Sequence, residues 1–111
     1  MAQATFVQEG GAVDYTPGSA VAVGDVVVQG ELVGVARGAI AANALGSLAV
    51  EGVFDFAKAT GVGTGITAGA NVYWDDTNNV ATTTAAGNKL LGKCVVAAAD
   101  ADAKVRVRLS Q

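Results

Sequence analysis

From Lys104 to Leu109 the chain alternates strictly, with Lys104, Arg106 and Arg108 on one parity and Val105, Val107 and Leu109 on the other. A period of two marks a half-buried β-strand, so one face of this strand carries three cations and the other three apolar side chains. A second run, Leu48, Val50, Gly52, Phe54 and Phe56, is apolar on one parity, with Glu51 and Asp55 on the other. It reads as a single long strand holding most of the aromatic mass. Shorter strands are predicted at 4–8, 12–16, 26–29, 32–37, 71–74, 80–83 and 89–98.

Turn chemistry separates these runs. Glu9-Gly10-Gly11 has hairpin spacing, and Gln29-Gly30-Glu31 divides the next pair. Asp75 to Asn79 forms a polar cluster between Trp74 and Val80, and Ala99-Asp100-Ala101-Asp102 closes the last hairpin. Pro17, which has no N–H to donate to a ladder, ends the second strand. Only 39–45 could form a turn or two of helix, tightly bracketed by Gly38 and Gly46. Many short strands with frequent turns predict an all-β fold, a compact sandwich or barrel-like domain of antiparallel strands with little or no helix. One domain spanning 1–111 is expected, with 1–8 as an extended N-terminal arm.

A faint internal echo runs through the chain. Val21-Ala22-Val23-Gly24, Ile40-Ala41-Ala42-Asn43 and Ile66-Thr67-Ala68-Gly69 each place Gly or Asn three positions after a β-branched residue. Gly and Asn tolerate a left-handed backbone, so the three read as similar tight bends, each before a strand.

Composition changes the picture in one respect. Hydrophobic residues make up 51% of the chain but aromatics only 5%, and 15 positions are Gly. The apolar mass is small Ala and Val, so the core is thin, which fits a fold that gains stability from a partner or from self-association. Net charge is −3 with no polybasic run, which argues against a nucleic-acid surface. There is no His, hence neither the commonest general base nor the commonest metal ligand. Cys94 stands alone, as expected of a protein folded in a reducing cytoplasm. The N-terminal residues lack a signal-peptide pattern, and no apolar run reaches membrane-spanning length.

Three motifs invite a chemical reading, and each has a simpler one. Gly87-Asn88-Lys89-Leu90-Leu91-Gly92-Lys93 has the spacing of a phosphate-binding loop. However, Cys94 stands where a Ser or Thr should hold magnesium, and Val95-Val96 continues as strand rather than helix. Gly61, Gly63 and Gly65 miss the dinucleotide fingerprint by one position and read instead as a flexible loop that orders on contact with a partner. Asp75, Thr77 and Asn79 alternate like calcium ligands, but Val80 and Ala86 occupy the positions that require Gly and Glu. A hairpin turn explains them. Cys94 reads as a small core residue. Of Tyr73-Trp74, Trp74 is expected to plug the core, leaving Tyr73 at a surface that a partner could cover. No catalytic residue, cofactor or metal is expected.

The order Ala4-Thr5-Phe6-Val7-Gln8-Glu9-Gly10, Val13-Asp14-Tyr15-Thr16-Pro17 and Val23-Gly24-Asp25-Val26-Val27 resembles the small capsid cement proteins of tailed phages. So do Gly34-Val35-Ala36, Glu51-Gly52-Val53-Phe54-Asp55-Phe56-Ala57-Lys58, Gly69-Ala70-Asn71-Val72-Tyr73-Trp74-Asp75-Asp76 and the final Val105-Arg106-Val107-Arg108-Leu109. Ala57 departs from the pattern, which has Pro before the Lys. The resemblance implies a non-enzymatic decoration subunit that binds the major capsid protein on the outside of the head and reinforces it. Such a subunit is commonly a homotrimer, sometimes a dimer, located in the virion after assembly in the host cytoplasm. Termini and Gly-rich tips are readily ordered by a partner, so the expected contacts are Thr5, Phe6, Val7, Gly61, Gly63, Gly65 and Tyr73. The alternatives are another virion β-module, such as a tail-tube or fibre component, and a nucleotide-binding recombination protein.

Overall fold

The computed structural model describes residues 3–4 and 10–110. The expected strand at 4–8 beyond Ala4, with Thr5, Phe6 and Val7 of the expected arm, lies outside the described residues. The strands are β1 (Ala12–Tyr15), β2 (Val26–Gln29), β3 (Leu32–Ala36), β4 (Gly46–Ala49), β5 (Gly52–Ala57), β6 (Asn71–Asp75), β7 (Val80–Thr82), β8 (Lys89–Val96) and β9 (Lys104–Leu109). No helix occurs among the described residues. All pairings between strands are antiparallel, in a four-stranded sheet ordered β1-β4-β3-β2 and a five-stranded sheet ordered β5-β9-β8-β6-β7. An isolated parallel bridge between Lys58 and Ala81 joins the end of β5 to β7, so the larger sheet curls almost shut. The fold is all-β, as the alternation predicts.

The single long strand expected over 48–56 is in fact two. β4 ends at Ala49 in the smaller sheet, and β5 starts at Gly52 in the larger. Gly52 has φ +114°, a conformation that L side chains rarely adopt, and there the chain leaves one sheet for the other. Hydrophobic parity runs straight through this corner and gives no sign of it. The expected helical turns at 39–45 are also absent. Ile40 instead exchanges both backbone hydrogen bonds with Val21 at 2.8 Å, and a turn over 41–44 follows.

The three echoed tetrads do form matching bends. Gly24, Asn43 and Gly69 have φ of 87°, 63° and 86°, and the residue after each donates its N–H to the carbonyl of Ala22, Ala41 and Thr67, all at 3.1 Å. Two of them share a wider plan. Gly24 N–H bonds Ala36 O and Asp25 O accepts from Ala36; likewise Gly69 N–H bonds Cys94 O and Ala70 O accepts from Cys94. Val21 then bridges Ile40, and Ile66 bridges Ala98, four residues beyond the strand partner in both cases. The same bend thus seats β2 against β3 and β6 against β8.

The larger sheet buries one face. Phe56, Val72, Trp74, Leu91, Cys94, Val105, Val107 and Leu109 fill its concave side, and Val33 and Val35 of β3 pack against them. The Phe56 ring lies 6.0 Å from Trp74 and 6.1 Å from Phe54, in tilted and edge-on geometry. Cys94 is part of this core, its thiol 3.1 Å from Val96 O. Leu48, Ile40 and Ala36 are buried around the smaller sheet, where Gly34 and Gly46 let the chains approach closely. A Cβ on Gly46 would sit 2.6 Å from the Ile40 side chain.

Candidate functional site

β5 extends inward-facing parity beyond its last residue. Phe54 and Phe56 turn toward the core, and two positions further on Lys58 follows them inside, only 4% exposed. A buried ammonium is costly unless its donors find acceptors. Lys58 Nζ donates to Ala59 O at 2.6 Å, Thr64 Oγ1 at 3.2 Å and Asp100 O at 3.3 Å. All three acceptors are neutral and belong to the loop after β5 or to the β8–β9 connection.

Around this amine the segment 61–65 is tied on every side. Gly61 N–H bonds Asp100 O at 3.0 Å, and Gly65 N–H bonds Asp100 Oδ1 at 2.7 Å. Thr64 Oγ1 lies 2.6 Å from Gly61 O and 3.0 Å from Asp100 O, and its single proton serves one of them. Thr64 N–H closes the turn onto Gly61 O at 3.2 Å, with Gly63 at φ +84°. The glycines predict a flexible loop; in the structure the segment is a hydrogen-bonded turn anchored on Asp100. At that tip Val62 is 100% exposed.

Lys58→Met keeps the stem volume and removes the three donors. Losing them takes from Ala59 O and Thr64 Oγ1 the one donor each accepts here, while Asp100 O keeps Gly61 N–H, an effect of about 1–3 kcal/mol on local opening. Amide exchange at Gly61, Thr64 and Gly65 is expected to accelerate by ten-fold or more while β8 amides change little. Unaltered protection in 61–65 would show that the ammonium does not hold the loop.

Of the residues singled out in the sequence, Gly61, Gly63 and Gly65 share this tip. Tyr73 sits elsewhere, on β6, half-buried and paired to Thr82 and Leu90, while its neighbour Trp74 faces the core. Thr5, Phe6 and Val7 lie outside the described residues. Lys58 and Thr64 are not among the contact residues expected from the sequence, and Asp100 is expected only as a turn residue. The parity of β5 held the signal for Lys58, since it shares a register with Phe54 and Phe56; nothing local pointed to Asp100, 42 positions away.

The two other chemical-looking motifs resolve into structure. In the run from Gly87 to Cys94, Gly87 (φ +76°) belongs to a turn closed by Asn88 N–H on Ala85 O. The remainder is strand β8, with Lys93 outward and hydrogen-bonded to Asn71 Oδ1. The Asp75 carboxylate is engaged in its own turn, Oδ1 accepting from Thr77 and Asn78 N–H at 3.0 and 3.1 Å and Oδ2 from Asn78 Nδ2 at 2.9 Å. The Asn78 side-chain bond, helped by its backbone N–H, holds this carboxyl below the ordinary aspartate range.

Between the sheets, where β2 and β5 present open edges, lies a cleft of about 590 Å³ floored by Val26, Val35, Phe54, Phe56 and Trp74. Its two carboxylates are already engaged. Asp25 accepts from Ala22 N–H at 3.0 Å, and Asp55 receives Arg106 through Nε at 2.9 Å and Nη2 at 3.2 Å. The Arg106 hydrogen bonds lower the Asp55 pKa and raise that of Arg106. Facing outward are the tip, with Val62 fully exposed, and the face of the larger sheet that carries Lys104, Arg106 and Arg108.

A family model described as phage cement protein matches residues 7–109. No curated protein and no solved structure matches the chain.

Proposed function

Since the chain belongs to the phage cement protein family over nearly its whole length, we propose that it decorates the outer surface of an assembled phage head and stabilises the shell. A capsid-associated role follows from the family itself; exterior binding and reinforcement are the finer reading. The family match carries it, and the fold is consistent with it. The protein acts by shape and contact, without catalysis, as one rigid β-unit that trimerises on the lattice. Its partner is the major capsid protein. Many copies bind side by side, so modest contacts per subunit accumulate over the shell.

We place the seating contacts at the 61–65 tip and at Thr5, Phe6, Val7 and Tyr73. The support is physical: a preformed loop loses little freedom on docking, so an exposed apolar side chain held there converts more of its burial into affinity. Purified protein added to undecorated expanded heads should co-sediment with them. Val62→Asp should weaken that binding by about ten-fold or more, the effect of desolvating a carboxylate in an apolar contact, without lowering the melting temperature. Wild-type protein that stays in the supernatant would sink the decoration reading and favour a tail component. Undiminished binding by Val62→Asp would remove the tip from the seating surface.

A further inference from the structure

The outward face of the five-stranded sheet concentrates positive charge. Residues directly opposite on antiparallel strands share a face, and three cross-strand rows stand there: Val53, Arg108 and Lys93; Asp55, Arg106 and Val96; Ala57 and Lys104. Four of the chain's seven cations thus share one face of two adjacent strands, in a protein with net charge −3. Along β9 they recur every second residue, about 7 Å apart. Lys93 stands directly across from Arg108, a like-charge pairing that is destabilising in a sheet. Among the described residues, the one carboxylate ion-paired with any of the four is Asp55, on Arg106. Val53 and Val96, each 54% exposed, flank the row. Inside the molecule Arg106 meets Asp55 and Lys93 meets the neutral Asn71 Oδ1, while no carboxylate among the described residues is ion-paired with Lys93, Lys104 or Arg108.

We infer that this face of β5, β9 and β8 is a second docking surface, recognising a carboxylate-bearing patch on the outside of the capsid shell through Lys93, Lys104 and Arg108, with Val53 and Val96 as the apolar contacts. The inference rests on the decoration reading above. A second copy of the chain is a poorer occupant because most of its own carboxylates are engaged, Asp14 and Glu51 being the exposed exceptions among the described residues. Asp25, Asp75, Asp100 and Asp102 bond backbone N–H groups, Asp76 accepts from Trp74 Nε1, and Glu31 pairs with Lys89. Nucleic acid fits poorly too. The chain's net charge of −3 and the lack of a polybasic run disfavour an extended phosphate backbone, which needs many cations in a continuous track. A protein surface of complementary charge and mixed polarity satisfies both constraints, and steering by it raises the association rate.

The experiment compares wild-type protein with Lys93→Glu/Arg108→Glu and with Arg37→Glu/Lys89→Glu, which makes the same change in net charge away from this face. Binding to undecorated expanded heads is measured at low and at physiological salt, with duplex DNA as a parallel ligand. Wild-type affinity should fall as salt rises. The Lys93/Arg108 variant should bind at least ten-fold more weakly at low salt, with its melting temperature about unchanged because one like-charge pair replaces another, while the Arg37/Lys89 variant stays within about three-fold of wild type. If wild type binds heads and the Lys93/Arg108 variant binds equally well, or both variants lose equally, this docking surface is wrong and the decoration reading survives. Reversal that abolishes DNA binding but spares head binding likewise overturns it. Wild-type protein that fails to bind heads overturns both.

Discussion

Gly92→Ala is expected to leave no cooperatively folded protein at 25 °C. Gly92 lies in β8 between β9 and β6, opposite Leu109 and Val72, and is fully enclosed. A Cβ there would sit 1.9 Å from Arg108 O and 2.8 Å from Ser110 N. Both atoms are backbone. Arg108 pairs with Val53 of β5 and Lys93 of β8, so it cannot retreat without breaking pairings on both sides, and moving Ser110 breaks its N–H bond to Leu91 O at 3.0 Å. Ordinary overpacking costs about 1–3 kcal/mol because side chains yield; a clash with fixed backbone in a central strand exceeds about 4–5 kcal/mol. That approaches the whole stability of a small domain, about 5–15 kcal/mol. Gly87→Ala is the control. Gly87 also has a positive φ, +76°, but no atom lies within 4 Å of its would-be Cβ, so the cost should be only about 1 kcal/mol. Circular dichroism during thermal unfolding separates the two. A Gly92→Ala protein that melts cooperatively within a few degrees of wild type would refute the packing described.

Trp74→Ala should lower stability by about 3–5 kcal/mol, the usual cost of emptying a large aromatic site. For a chain of this size that shifts the melting temperature by roughly 15–25 °C. Trp74 is 4% exposed, packs on Phe56, and has its indole N–H bonded to Asp76 Oδ1 at 3.2 Å. With a single Trp in the chain, native fluorescence reports this site alone, and its emission should be blue-shifted and move to the red on unfolding. Tyr73→Ala, one position along but on the other face, should cost well under half as much. Equal losses for the two variants would mean that the strand is turned over.

Much of this was legible locally. Alternation in Lys104–Leu109 determines which side chains meet the core, because a pleated strand offers only two faces. The polar cluster Asp75–Asn79 becomes a turn because Asp75 supplies its own acceptors to the following N–H groups. The three echoed bends appear where a residue tolerant of positive φ follows a β-branched one, again a matter of a few adjacent residues. The corner at Gly52 was hidden, since parity records which face a residue takes and not which sheet it joins. The anchoring of the Gly61–Gly65 tip was hidden for a related reason: its hydrogen bonds run to Asp100 and to Lys58, and only folding brings Asp100 to it.

By itself, then, the amino-acid order determined the β-class, the strand faces, most turns, and a chain that resembles a capsid cement protein. Those properties follow from neighbours within a few residues, where steric limits and hydrogen-bonding reach act directly. Strand order, the split between two sheets, the buried ammonium and the union of Lys93 with the β9 cations were decided by tertiary structure alone. Each depends on which distant segments pair, and that choice is made by the packing of the whole core.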